Sequence, residues 1–361
     1  MMKTNKTMIM AINFPFCLQE ENHAHPFQIL GDSQIKMDYL EALSRELHST
    51  AEDFQDVAFT AVKLTGYPTI MNADKVGELL HQIRQEYHLT EFCEVSIETL
   101  PNTVCVPLLS GLSQGKPTRF QLQIHSLQPK ELLTLKVPYT LPDIQNSVLF
   151  LDKFRVNNVS LTLDLGIPGQ TFVSLKRTLR SCLELEPDHL MLRPYLSVQQ
   201  RADQKLQQRM LNSTDEYLKE QGWVNYAPGF YCKKECHDQF LSQLWTQGEV
   251  VGFGLDAYSC FDGYQYRNTR DLASYISGAD DCQQLIENPQ ALSSEEKQLR
   301  QLRGQLLLDQ QPAAEGYAES VQKEINSFIK QGYIEELDGK LSLTKDGKGA
   351  FWISLSNEAY Y

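Results

Sequence analysis

Over the first 195 residues, short β-rich apolar runs alternate with longer stretches of helical pattern. Met8–Asn13, Val57–Lys63, Glu94–Thr99, Arg119–His125, Asn158–Leu163 and His189–Tyr195 read as strands. Met37–Leu47, Ala73–His88, Pro142–Phe154 and Thr171–Leu183 read as the helices between them. Asn72 is placed to cap the second helix, and Pro187-Asp188 separates a helix ending at Leu185 from the next strand. Such alternation implies parallel strands joined by right-handed crossovers. The six units predict an α/β fold, a partial (α/β)6 TIM-like barrel, with an open doubly wound sheet as the alternative. In both, ligands sit outside the carboxyl ends of the strands. Cys17, Gly66, Glu98 and His125 fall at or just after those ends.

Ser197–Gln221 is a long polar helical run, expected to be a solvated helix bridging two halves. Gly222–Gly278 is dense in aromatics and glycine, and Gly252 and Gly254 permit close backbone approach. After Gly278 the composition shifts. Ser293-Ser-Glu-Glu296 is a capping-box start for a helix to about Leu308, 309–314 is a linker, and Ala318–Lys330 is a second helix closed by Gly332. A hairpin on Asp338-Gly339 and a helical stretch from Thr344 complete a small helical, winged-helix-like domain. The expected division is 1–280 for the barrel with its aromatic extension and 281–361 for the end domain. That domain has no basic recognition helix and reads as a packing or partner module.

With 361 residues, 42% of them hydrophobic, the chain can bury one large core and a smaller one. A balance of 33 basic to 46 acidic residues argues against nucleic acid and against an anionic membrane surface. No apolar run is long enough to span a bilayer. The N-terminus is basic, but Asn13 and Pro15 break its apolar continuation and no small-residue cleavage site follows, so it reads as a strand rather than a signal peptide. Eight scattered cysteines read as reduced thiols of a cytoplasmic protein.

Seven motifs then point to a family. In order they are Asn13-Phe-Pro-Phe-Cys17, Tyr39-Leu-Glu-Ala-Leu, Glu94-Val-Ser-Ile-Glu98, Leu165-Gly-Ile-Pro-Gly-Gln-Thr171, Leu183-Glu-Leu-Glu-Pro-Asp-His189, Val251–Ser259 with Asn268, and Leu341–Gly347. Together they resemble the oxygen-independent coproporphyrinogen III oxidase-like family of radical S-adenosylmethionine (SAM) proteins. That resemblance implies a radical-SAM-type partial barrel, a [4Fe–4S] cluster on a Cys-x3-Cys-x2-Cys loop, and SAM at the barrel mouth. Here Cys17 keeps the first cluster position, while the second and third fall on Glu21 and Ala24. One thiolate plus Glu21 is a poor substitute for three, so [4Fe–4S] is expected to be absent. The family's Gly-Gly-Gly-Thr-Pro turn reads Leu64-Thr65-Gly66-Tyr67-Pro68, and its Gly-Val-Gln-Ser stretch reads Gln123-Ile-His125-Ser126. The Arg that grips the SAM carboxylate falls near Val137, beside Lys136. An Asp falls on Thr162, with Asp164 two residues on along the same strand face. Glu98 is in place. The losses concentrate at the SAM and cluster positions while the fold motifs persist, which implies that reductive SAM cleavage is lost.

The resulting cofactor-binding candidates are Gly66, Pro68, Glu98, Arg119, His125, Thr162 and Asp164, with Glu98, His125 and Asp164 as catalytic candidates. Cys17, His23 and His25 form a Cys-x5-His-x-His set able to ligate Zn²⁺ or Fe²⁺, with His125 as a completing ligand. Cys232-Lys-Lys-Glu-Cys236-His237 lacks a second ligand pair, and His237 reads as structural. Two functions stay open. One is a repurposed enzyme holding a small molecule at the barrel mouth, SAM in non-radical chemistry among the options. The other is a non-catalytic haem or tetrapyrrole-binding protein, or a protein partner of an active relative. Replacement of strand-end residues by other functional types tilts the reading toward the enzyme.

Overall fold

The computed structural model describes residues 6–18, 29–196, 203–233 and 236–355. Strand β1 (Lys6–Phe14) leads into short β2 (Phe16–Cys17) and β3 (Ile29–Leu30), then helix α1 (Ser33–Thr50). There follow β4 (Val57–Gly66) and α2 (Ala73–Glu86), β5 (His88–Thr99) and α3 (Val106–Leu112), β6 (Arg119–His125) with α4 (Pro129–Leu135) and α5 (Leu141–Lys153), β7 (Val159–Leu165) and α6 (Phe172–Glu184), and β8 (His189–Pro194) with α7 (Gln204–Glu220). A second stretch runs β9 (Val224–Ala227), β10 (Phe230–Cys232), α8 (Gln239–Gln247), β11 (Val250–Phe253), β12 (Tyr258–Phe261), β13 (Tyr264–Asn268), α9 (Leu272–Gly278), α10 (Cys282–Leu285) and β14 (Ile286–Ala291). The described part closes with α11 (Ser294–Leu307), α12 (Glu319–Lys330), the hairpin β15 (Ile334–Leu337) and β16 (Lys340–Leu343), and α13 (Lys345–Leu355).

Among the described residues, twelve strands form one sheet in the order β14-β13-β12-β11-β1-β4-β5-β6-β7-β8-β10-β9. The six expected strands are neighbours and parallel, and β11 adds a seventh parallel strand beside β1. Antiparallel strands extend both edges, which the repeating strand–helix pattern does not announce. The architecture is the α/β partial barrel with a small helical end that the sequence predicts. The polar run before residue 221 differs from expectation. Its helix α7, capped by Asp203, is amphipathic and buries Gln207, Met210, Leu211, Thr214 and Leu218 instead of being solvated all round. Residues 197–202 lie outside the described ranges.

Helix-facing residues of the strands, such as Ile12, Val62, Ile97, Leu122 and Leu161, join the inward faces of the helices in the main core. A second core holds Phe240 and Trp245 of α8, Leu302 and Leu306 of α11, and Val321 and Ile325 of α12. Close approach is explicit there: a Cβ on Gly304 would stand 1.7 Å from the Trp245 carbonyl oxygen. Trp352 of α13 is fully buried, and its indole Nε1 donates to the Leu192 carbonyl on β8 at 2.8 Å. The Asp338-Gly339 turn has φ of 52° and 72°, as a two-residue hairpin of type I′ requires.

Candidate functional site at the barrel mouth

Parallel strands covered on both faces normally read as continuous apolar runs. Here they alternate. β6 reads Arg-Phe-Gln-Leu-Gln-Ile-His and every residue is buried. The same alternation places Lys63 and Thr65, Glu94, Ser96 and Glu98, Ser160, Thr162 and Asp164, and His189 and Arg193 on the lumen face. Lys63 and Arg193 are not singled out by the family motifs, and this polar alternation is the signal that identifies them.

The lumen is layered. At its base, Arg119 Nε pairs with Glu94 Oε2 at 2.9 Å, and Arg119 Nη2 donates to the carbonyls of Cys236 and His237 at 3.0 and 2.7 Å. The Gln239 N–H donates to Glu94 Oε1, and Asp238 caps α8 through the Leu241 N–H. His237 stacks on Tyr226 with centroids 4.1 Å apart, which fits a structural role. Arg119 stands at the opposite end of β6 from His125, about 20 Å away by strand rise, so it is not brought to the mouth. Thr162 is also deeper, its Oγ1 accepting from Gln121 Nε2 at 3.1 Å. Midway, the buried Lys63 ammonium lies 3.5 Å from Glu98 Oε1 and 3.9 Å from Asp238 Oδ2, over the Phe240 ring.

Two pairs meet at the mouth. The Gly66 N–H donates to Glu98 Oε2 at 2.9 Å. Gly66 has φ +76°, and a Cβ there would stand 2.1 Å from the Phe14 carbonyl oxygen, so this remnant of the glycine turn accepts no side chain. Pro68 is buried at the start of the next turn. Burial pushes the Glu98 carboxyl up, while Lys63 and Arg193 pull it down. In the second pair, His125 Nδ1 donates to Asp164 Oδ2 at 2.8 Å, and Arg193 Nε and Nη2 reach Asp164 Oδ1 at 3.3 Å. The β6–β7 register shifts between Gln123 and His125, and His125 has φ +53°. A bulge of this kind re-aims a side chain. Tyr139 lies parallel to the imidazole at 6.4 Å, and Gln170 Nε2 donates to the Asp164 carbonyl. A carboxylate on Nδ1 fixes the imidazole tautomer and the orientation of the ring.

Val137, near the position of the family's carboxylate-gripping Arg, packs with Leu135, Ile167 and Tyr195, while Lys136 is exposed in a left-handed cap after α4. Cys17 is buried in β2, its thiol donating to the Ile29 carbonyl at 3.6 Å. Glu21, His23 and His25 lie outside the described residues. Among the described residues, no group of three or more His, Cys, Asp and Glu side chains is placed to hold a metal ion. Among them, too, no helix is long and apolar enough to cross a membrane.

No protein-family model matches the chain. The heme chaperone HemW of Haemophilus influenzae is 22% identical over 367 residues, covering 93% of this chain and 94% of that protein. The oxygen-independent coproporphyrinogen III oxidase of Salmonella typhimurium is 26% identical over 303 residues, covering 75% of this chain and 65% of that enzyme. The solved Escherichia coli coproporphyrinogen III oxidase HemN, described as a radical SAM enzyme, superposes with TM-score 0.80 at 16% identity, covering 99% of this chain and 91% of that one. The chain is a divergent relative, by sequence, of heme chaperone HemW and oxygen-independent coproporphyrinogen III oxidase, and it shares the HemN fold.

Proposed function

We propose that this protein binds a tetrapyrrole, haem in the first instance, at the barrel mouth, and that it does not run [4Fe–4S]-dependent SAM cleavage. The observation that carries the reading is the buried His125–Asp164–Arg193 constellation on the ends of three adjacent strands. These residues fit haem. His125 would supply Nε2 to the iron, Asp164 would hold the ring in the right tautomer, and Arg193 would offer a guanidinium to a propionate. Val137, Ile167, Tyr139 and Tyr195 give this neighbourhood apolar surface for a flat macrocycle. The name of the H. influenzae relative, a heme chaperone, agrees with it.

Bound haem would supply an iron centre; the chain's own part is to hold, orient and release it. The donor set does not fit the family's cluster, with one thiolate at the three cluster positions. The reading as a repurposed SAM enzyme has less support. A carboxylate-bearing ligand would meet Val137 where the family has its Arg, and Glu98 already holds the Gly66 N–H and faces the Lys63 ammonium.

Haemin titration of the full chain tests the proposal. A saturable Soret shift with micromolar affinity is expected, weakened about tenfold or more by His125→Ala. A titration that is linear and nonspecific, or one that His125→Ala leaves unchanged, refutes it. Anaerobic reconstitution with iron and sulfide is expected to give no 5′-deoxyadenosine from SAM, and formation of that product overturns the second half of the reading.

A further inference from the structure

A cleft of about 680 Å³ lies between the β12–β13 hairpin, the end of α8 and helix α11. That is the size of a small-molecule site. Lys297, Arg300 and Arg303 line it from α11 at intervals of three residues, so one helix face presents a row of cations to the cleft. Trp245, Phe261, Leu292 and Leu307 give it apolar walls. The arrangement is unusual in a chain with net charge −13. Glu249 is the one carboxylate among the lining residues, and Lys6 pairs with it at 3.1 Å. Glu296, one turn before Arg300, is turned back to the Ser293 N–H in the capping box.

Arg300 is held in place by neutral groups. Nη1 donates to the Tyr258 hydroxyl and the Cys260 thiol, both at 3.0 Å, and Nη2 donates to Gln265 Oε1 at 2.6 Å. A guanidinium fixed in this way, with no carboxylate as its hydrogen-bond partner among the described residues, is preorganised for an anion. Gly263 adds room. A Cβ there would come within 3.0 Å of the Lys297 ammonium, so the bare hairpin tip lets that group lie over it. A row of like charges at helical spacing costs a few tenths of a kcal/mol per pair unless something offsets it.

We propose that this cleft is a second binding site, distinct from the barrel mouth, for a small organic anion bearing two or more carboxylate or phosphate groups on a flat apolar body. Lys297 and Arg300 would take the anionic groups, and Trp245 and Phe261 the flat part.

The test is calorimetry on the full chain with two probes, ATP for the phosphate source and a metal-free tetracarboxyl porphyrin for the carboxylate source. Three variants are compared: Lys297→Glu, the pair Lys297→Gln/Arg300→Gln, and His125→Ala. The expected result is micromolar binding of one probe, about tenfold or more weaker in the paired variant and in Lys297→Glu, reduced by salt, and unchanged in His125→Ala. Which probe binds identifies the source. Absence of binding by both at millimolar ligand overturns the proposal, as does undiminished binding in the exposed-site variant Lys297→Glu. Porphyrin binding that His125→Ala abolishes and Lys297→Glu leaves intact belongs to the barrel mouth, and it overturns the second site while supporting the first.

Discussion

Glu46 gives the sharpest quantitative test of the fold's electrostatics. It sits on α1, almost fully buried, and accepts hydrogen bonds from the Tyr275 hydroxyl at 2.6 Å, Asn268 Nδ2 at 2.7 Å and the Gly254 N–H at 2.8 Å. Burial pushes its carboxyl up from the ordinary 4.5 to about 7, and the three donors pull it back only in part. A carboxyl raised in the folded state stabilises the protein fully below its unfolded value. That contribution is lost as pH rises through the folded value. For these two values the linkage relation gives a loss of about 2.5 kcal/mol between pH 5 and pH 8. Glu46→Gln keeps an acceptor oxygen and removes the titration. Urea unfolding of both proteins, followed by tryptophan fluorescence at unit pH steps, isolates the effect from every other titrating group. The stability of Glu46→Gln relative to wild type should rise by about that amount from pH 5 to pH 8 and level off above it. A difference that stays flat across this range, or that moves the other way, refutes the assignment.

Three further outcomes are expected. Arg119→Met leaves Glu94 buried without its cation and two carbonyls without their donor, so unfolding should show a loss of about 3–5 kcal/mol. Lys63→Met removes the ammonium between Glu98 and Asp238, and the resulting loss in urea midpoint should grow with rising pH as the Glu98 carboxyl, pushed up by burial, ionises without its cation. Gly66→Ala, which meets the Phe14 carbonyl and a left-handed backbone at once, should cost about 1–3 kcal/mol or more in thermal unfolding, and a neutral result would mean the turn is not as tight as its geometry requires.

The barrel was legible because strand periodicity and helix caps repeat in register with the family motifs. Asn72 caps α2 by accepting from the Lys75 N–H, and β6 has the bounds its sequence suggests. The antiparallel additions were not legible, because short strands such as Phe230–Cys232 owe their conformation to pairing with β8 rather than to a local pattern. At the mouth, the strand-end rule pointed to Cys17, Gly66, Glu98 and His125, and the family resemblance pointed to Asp164. Neither could rank them, because cross-strand partners are set by register: Arg193 reaches Asp164 only because β7 and β8 pair Asp164 with Arg193. The same register puts Thr162 and Arg119 in deeper layers, where a list of aligned positions shows no depth.

Trp352 has one more implication. The indole from the last described helix reaches the backbone of the strand that carries Arg193, one residue before it, and Gly229 leaves the hollow it fills. Helix α13 is therefore a wedge in the barrel wall, and removing it would slacken β8 beside the guanidinium at the mouth. Whatever docks against the C-terminal helices gains a mechanical handle on the site through that single ring.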